Sequence, residues 1–215
     1  MVTTRMVPTP RGDARIVVRR ANRPLATLVL THGAGGGIDA PDLLRLARSL
    51  PQQDVSTTLV EMPWRVAGKA LAPRPAVIDE CFVAVMDAMR TRTPLVVGGR
   101  SAGARSACRI ARGVGAVGVL ALAFPLHPPG KPERSRLEEL RRARVRTLVV
   151  QGERDAFGTP EEFPEDLDLA VVPGADHGMK VLKSGPVSQE EALAVVLEAT
   201  LEWIVRDVAG NRNPA

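Results

Sequence analysis

The sequence predicts an α/β fold in which a mostly parallel sheet is covered on both faces by helices. Three observations predict it. Short Val- and Leu-rich runs recur along the chain, bounded by Gly, Pro or Asp, as strands buried on both faces do. Between them lie segments with apolar residues at three- and four-residue spacing. The connections are short, so successive strands run parallel with a helix crossing between them.

Strands are expected at Ala14–Val18, Ala26–Thr31, Ser56–Glu61, Pro94–Gly98, Gly118–Phe124, Arg146–Gln151 and Asp168–Val172. The first helix is expected at Pro41–Leu50, where Leu43, Leu44, Leu46, Ala47 and Leu50 share a face and Asp39 stands at the cap. Further helices are expected at Val77–Arg90, Ala102–Gly113, Arg134–Ala143 and Val187–Val208. In the last, Ser188 followed by Glu191 has the pattern of a capping box. No internal repeat is visible. The expectation is one α/β domain over residues 1–215, with a polar, frayed tail at Gly210–Ala215.

Composition narrows the classes. At 45% apolar and 25% charged residues, the chain reads as globular and neither disordered nor membrane-embedded. Its longest apolar stretch, Val114–Phe124, is too short and too glycine-interrupted to span a bilayer. Met1–Asp13 has no apolar core of a secretory signal, and two cysteines, Cys81 and Cys108, make no disulfide framework, so a cytoplasmic setting is expected. Neither cysteine has metal-ligand spacing with the three histidines. The net charge is +5, from 29 basic and 24 acidic residues. All the basic residues except Lys69, Lys131, Lys180 and Lys183 are arginines, and they are scattered. With no Tyr, four Phe and two Trp, the chain lacks the basic stripe and stacking aromatics of a nucleic-acid binder. Nothing points to a particular oligomeric state.

In such a sheet chemistry gathers beyond the carboxyl ends of the strands. The unusual segments stand there: Thr31-His32-Gly33-Ala34-Gly35-Gly36-Gly37, Gly99-Arg100-Ser101-Ala102-Gly103, Gln151-Gly152-Glu153-Arg154-Asp155 and Asp176-His177-Gly178. The second is a G-x-S-x-G pattern between a strand and a helix. A sharp turn there strains the serine backbone and lifts its hydroxyl above the sheet, while small neighbours let the chain pass closely. It also puts the Ala102 N–H at a helix start, where it can donate to a developing oxyanion. A second donor is expected from the glycine loop, at Ala34 or Gly35. That loop lacks the G-K-[ST] ending and the G-x-G-x-x-G register of phosphate loops. His32, which precedes it, reads as a structural hydrogen-bonding residue.

Order completes the constellation. Ser101 as nucleophile, Asp155 as acid and His177 as base run Ser…Asp…His, each after a predicted strand. Asp176 is adjacent to His177, and neighbours on an extended segment point to different sides, so Asp155 is the expected partner of the imidazole.

The segments TLVLTHGAGGG, VVGGRSAGAR, FPLHPPGKPE, LVVQGERDAFG and GADHGMK resemble the α/β-hydrolases, in their dienelactone-hydrolase-like branch. More narrowly, they resemble small predicted hydrolases related to the hydrolase-like domain of a non-specific-lethal chromatin-complex subunit and a testis-expressed relative. Dienelactone hydrolases proper carry Cys at the elbow, where this chain has Ser101. The resemblance implies an α/β-hydrolase fold and a serine hydrolase of small esters or thioesters, acting through an acyl-enzyme with no metal or organic cofactor. The partner it implies is a small acyl substrate. The narrower group also holds scaffold subunits, so the rival is a non-catalytic interaction protein that keeps the fold; an intact Ser–Asp–His set favours the enzyme.

Other residues near these loops are candidates for substrate contact: Gly35, His127 in the Pro-rich turn, Arg100 beside the elbow, and Trp64 after a strand. Arg100 and Arg105 also suit salt bridges that anchor the elbow, and Trp64 suits the core. Cys108, on the helix after Ser101, reads as a core thiol. Arg146 follows Phe124 by only 22 positions, leaving no room for the multi-helix cap that many lipases insert there.

Overall fold

A computed structural model describes residues 2–210, and the part of the expected tail beyond Gly210 lies outside them. The strands are β1 (Val2–Val7), β2 (Ala14–Arg19), β3 (Ala26–Thr31), β4 (Val55–Glu61), β5 (Leu95–Arg100), β6 (Gly118–Leu122), β7 (Arg146–Gly152) and β8 (Asp168–Val172). The helices are α1 (Pro41–Ser49), α2 (Pro63–Val66), α3 (Pro75–Asp87), α4 (Ala102–Ile110), α5 (Leu137–Arg141) and α6 (Gln189–Trp203). One eight-stranded sheet has the order β1-β2-β4-β3-β5-β6-β7-β8. The β1–β2 and β2–β4 pairs are antiparallel and every other pair is parallel.

The period of two along β3 explains the two layers. Leu28 and Leu30 face α1 and α6, with Leu43, Leu46, Val196 and Trp203. Val29 faces the opposite core with Phe82 and Val85 of α3 and Ala104 and Ala107 of α4. A strand buried on both sides must be apolar at every position but its ends, which is how β3 reads.

All seven expected strands and five expected helices are present, Ala26–Thr31 and Asp168–Val172 with the expected ends and the others with shifted ones. The additional strand, β1, is exposed at every residue except Val7, so it carries no burial signal; it is recruited by backbone pairing with β2. α3 starts at Pro75 because proline at the first helical position sacrifices no hydrogen bond. The residue capping α1 is Ala40, without a side-chain bond, so Asp39 does not cap it. The expected Ser188 box closes α6, with the Glu191 N–H donating to Ser188 Oγ and the Ser188 N–H to Glu191 Oε2. α6 then continues as a π-helical turn, Ile204–Ala209. The segment between β6 and β7 holds only a 3-10 turn at Pro132–Arg134 and the five-residue α5, so no cap domain is inserted there. No helix among the described residues is long and apolar enough to cross a membrane.

Candidate active site

Ser101 sits between β5 and α4 at φ 53° and ψ −112°, in the left-handed half of backbone space that non-glycine residues avoid. Its N–H donates to the Leu122 carbonyl and its own carbonyl accepts from Arg105, so strand and helix meet at this residue. Small neighbours are obligatory. A Cβ on Gly99 would stand 2.6 Å from the Thr31 carbonyl oxygen and 2.8 Å from the Gly103 carbonyl carbon. On Gly103 it would stand 2.7 Å from the His32 carbonyl oxygen. Since backbone atoms cannot swing aside, Gly99→Ala is expected to destabilise the fold by about 1–3 kcal/mol in urea unfolding. A change within about 0.5 kcal/mol would mean that the elbow relaxes freely.

Three side chains from three strand ends converge. The Ser101 hydroxyl lies 3.0 Å from His177 Nε2, and His177 Nδ1 lies 2.8 Å from Asp155 Oδ2. The imidazole therefore donates from Nδ1 to the carboxylate and can accept the serine proton at Nε2. Asp155 is fully buried, and its other oxygen accepts the Phe157 N–H at 2.8 Å. Asp176 serves differently: its Oδ1 accepts the N–H groups of Gly178 and Lys180, which shapes the loop after His177.

The loops bearing Asp155 and His177 are laced together by backbone. Arg154 donates its N–H to the Ala175 carbonyl, and Glu153 accepts the Gly174 N–H. Gly152 permits the approach, since a Cβ there would lie 2.5 Å from the Ala175 carbonyl oxygen. Sequence reasoning missed two residues. Gln151 donates its amide to Asp155 Oδ2 and to the carbonyl oxygens of Phe124 and Gly158. Phe157 stacks on His177 with centroids 4.1 Å apart. An amide, Gln151, at the end of the apolar run of the LVVQGERDAFG segment, and an aromatic, Phe157, near its end, were the available signals.

In the glycine loop, Gly33 faces the nucleophile, because a Cβ there would lie 3.4 Å from Ser101 Cβ. Ala34 and Gly35 follow in an exposed turn. Among the described residues, the N–H groups of Ala34, Gly35 and Ala102 donate to no protein acceptor. His32 holds this loop: Nδ1 bonds the Gly33 carbonyl and Nε2 accepts the Met62 N–H. Burial lowers its pKa, which suits the neutral form that can donate from one nitrogen and accept at the other. Trp64 packs edge-on against His32 and is 6% exposed, so its place is the core beneath the loop.

The remaining candidates are bound up in the scaffold. Arg100 donates to the His177 carbonyl at 2.8 Å and lies 3.5 Å from the carboxylate of Asp42 on α1. It ties the His177 loop to the helix after the glycine loop, which is the anchoring arrangement. Burial raises the pKa of Asp42, with Arg100 opposing that shift. Arg105 bonds Glu139 of α5, and Arg109 joins Asp79 of α3 to Glu139. Burial pushes the Cys108 thiol up to about 12, so it is a core thiol and no nucleophile.

His127 uses both ring nitrogens within the protein, on the Pro128 carbonyl and on Glu162, and its N–H supports Phe157. It is therefore a brace for the Phe157 turn and is not free to contact substrate. Bonds to two acceptors require the imidazolium, and the Pro128 carbonyl, then Glu162, raise its pKa. A raised folded-state pKa gives stability that is complete below the unfolded value near 6.5 and lost as pH rises through the folded value. His127→Gln should thus cost more stability at pH 5.5 than at pH 8.5, by urea midpoint. An equal cost at both would exclude a charged His127.

Comparison with known proteins sets this geometry in context. No curated protein sequence matches the chain. Among solved structures, it is similar to a dienelactone hydrolase from Anabaena variabilis at 18% identity and TM-score 0.74, over 96% of this chain and 98% of that one. It is also similar to a serine hydrolase without lid from Xanthomonas campestris at 15% identity and TM-score 0.71, over 94% of each chain. Est1E from Butyrivibrio proteoclasticus, solved with ferulic acid bound, is similar at 15% identity and TM-score 0.66, over 94% of this chain and all of that one. These likenesses agree with the fold. The family model described as alpha/beta hydrolase domain matches residues 24–205, which takes in every loop discussed above, and the chain accordingly belongs to the alpha/beta hydrolase domain family.

Proposed function

We propose that this chain is a serine hydrolase that cleaves a small carboxylic ester or thioester through an acyl-enzyme. One observation carries the reading: the hydrogen-bonded run from Ser101 Oγ through His177 to buried Asp155, starting at a strained elbow residue. A scaffold has no physical need of that strain or of the alignment. The narrower likeness to chromatin-complex and testis-expressed relatives rests on the motif segments alone and adds no substrate.

In this reading Ser101 Oγ attacks the acyl carbonyl while His177 Nε2 takes its proton. Asp155 keeps the imidazole in the tautomer that accepts there and stabilises the imidazolium. The Ala102 N–H, with that of Ala34 or Gly35, receives the oxyanion. The imidazolium returns its proton to the leaving group, and water, activated by the same nitrogen, releases the acid. Arg100 and Phe157 hold the ring in position from its backbone and its face. The two free, buried thiols are compatible with the cytoplasmic setting we assign.

The substrate class follows from the short β6–β7 segment, which has no inserted cap to enclose a long acyl chain. Each methylene left in water forgoes about 0.8 kcal/mol of burial. Across p-nitrophenyl esters from acetate to palmitate, kcat/KM is expected to be highest for the short acyl groups, with no jump above the micellar concentration. A steady rise toward palmitate would overturn this assignment. Labelling by a fluorophosphonate probe, read by intact mass, tests the chemistry itself.

A further inference from the structure

At the end of the sheet remote from Ser101, where β3 and β4 begin, the face that carries α3 is uncovered beyond the end of that helix. A hollow of about 830 Å³ opens there. Its floor is a patch of strand side chains with the buried hydroxyl residues Thr27, Ser56 and Thr58. Arg5 from β1, Arg20 after β2, and Arg90 and Arg92 from the loop after α3 line it. No Asp or Glu does; the nearest in sequence, Asp87, lines a neighbouring hollow that shares Arg90 and Arg92.

Elsewhere some arginines are paired, as in Arg11–Glu80, Arg15–Glu61, Arg45–Glu190 and Arg146–Asp207, while others, such as Arg48, Arg112 and Arg142, stand singly on the surface. What sets Arg5, Arg20, Arg90 and Arg92 apart is that they line one hollow. Among the described residues, none of the four around the hollow has a carboxylate partner. Arg5 donates to the Ala88 carbonyl, which fixes one wall to β1. Four exposed like charges around one concavity give it a positive potential that attracts anions.

We infer that this hollow binds a small molecule bearing two or more phosphate-type anionic groups. Guanidinium forks match such oxygens bidentately, and floor hydroxyls can donate to a further one. The volume is that of a small-molecule site. A nucleic-acid strand fits less well, since the basic groups surround a pocket and no aromatic side chain lines it. Along β3, Thr27 is six residues from Gly33, which abuts Ser101, so the hollow is about 20 Å from the nucleophile. The anion is therefore bound apart from any acyl group attacked at Ser101.

The test is isothermal titration of the full chain with inorganic tripolyphosphate at pH 7 and about 150 mM salt, where diffuse surface attraction is screened. Orthophosphate and a single-stranded oligonucleotide serve as separate arms. Saturable one-to-one binding of tripolyphosphate is expected, tighter than that of orthophosphate. It should weaken on the order of tenfold or more in R20A/R90A/R92A, and hold in R48A/R112A/R142A, which removes three other exposed arginines. Circular dichroism checks folding, and the single variants Arg20→Gln and Arg92→Gln stand in should the triple variant fail to fold. Ser101→Ala protein should bind unchanged, so the result is independent of the hydrolase reading. Absence of saturable binding, equal loss in both triple variants, or tighter binding of the oligonucleotide would each overturn the inference.

Discussion

Replacing Ser101 by alanine is expected to lower turnover of a p-nitrophenyl acetate-type substrate by about 10⁴–10⁶-fold and to abolish fluorophosphonate labelling. The size of the effect follows from its place in the chain of bonds. Among the described residues, the Ser101 hydroxyl is the nucleophile hydrogen-bonded to His177 Nε2, at 3.0 Å. His177→Ala should fall by a similar factor, because a serine without its base remains a weak nucleophile. The two losses should not add, since nucleophile and base act as one unit. The variant with both changes should resemble either single one. Alanine at 101 leaves the left-handed backbone strain in place, so the fold should persist; retained labelling in Ser101→Ala would sink the assignment.

How much of this was legible in the sequence depended on whether a residue's signal was local. Gly99, Ser101 and Gly103 announce a strained turn by their spacing, and the turn is strained as expected, with Ser101 at φ 53°. The order Ser101, Asp155, His177 was readable because each follows a Val- or Leu-rich run; burial marks the runs of β5 and β7 as central strands, whereas β8, the edge strand before His177, buries only Val172. β1 was not readable, because an edge strand held by antiparallel ladder bonds buries only Val7 and shows no apolar run. Nor was the fate of the polar residues around the site. Arg100 and His127 could equally have faced substrate; only the arrival of the His177 carbonyl and of Glu162, from segments 77 and 35 residues away, decides that they brace loops instead. Gln151 and Phe157 were missed for the same reason. Their roles exist only once β7 and the His177 loop are brought together at Gly152.

Two carboxylates stand near His177, and substitution should separate them widely. Asp155→Asn is expected to reduce kcat by about 10⁴-fold. The asparagine amide would face the imidazole with either a donor or a neutral acceptor. The first forces the proton onto Nε2, where the serine proton has to go; the second no longer balances the imidazolium charge. Burial enlarges the loss, since Asp155 is fully enclosed and no water can substitute for the missing charge. Gln151 already donates to Asp155 Oδ2, so an asparagine amide turned toward it would also meet a donor head-on. Asp176→Asn leaves an oxygen able to accept the Gly178 and Lys180 N–H groups that Asp176 now receives, so its loop can keep its shape. Its loss should stay within about tenfold. Measuring kcat for both variants at pH 7, with unfolding curves to confirm that each is native, checks the ranking. If Asp176→Asn were the crippled variant and Asp155→Asn the mild one, the partner of His177 in turnover would be the wrong carboxylate.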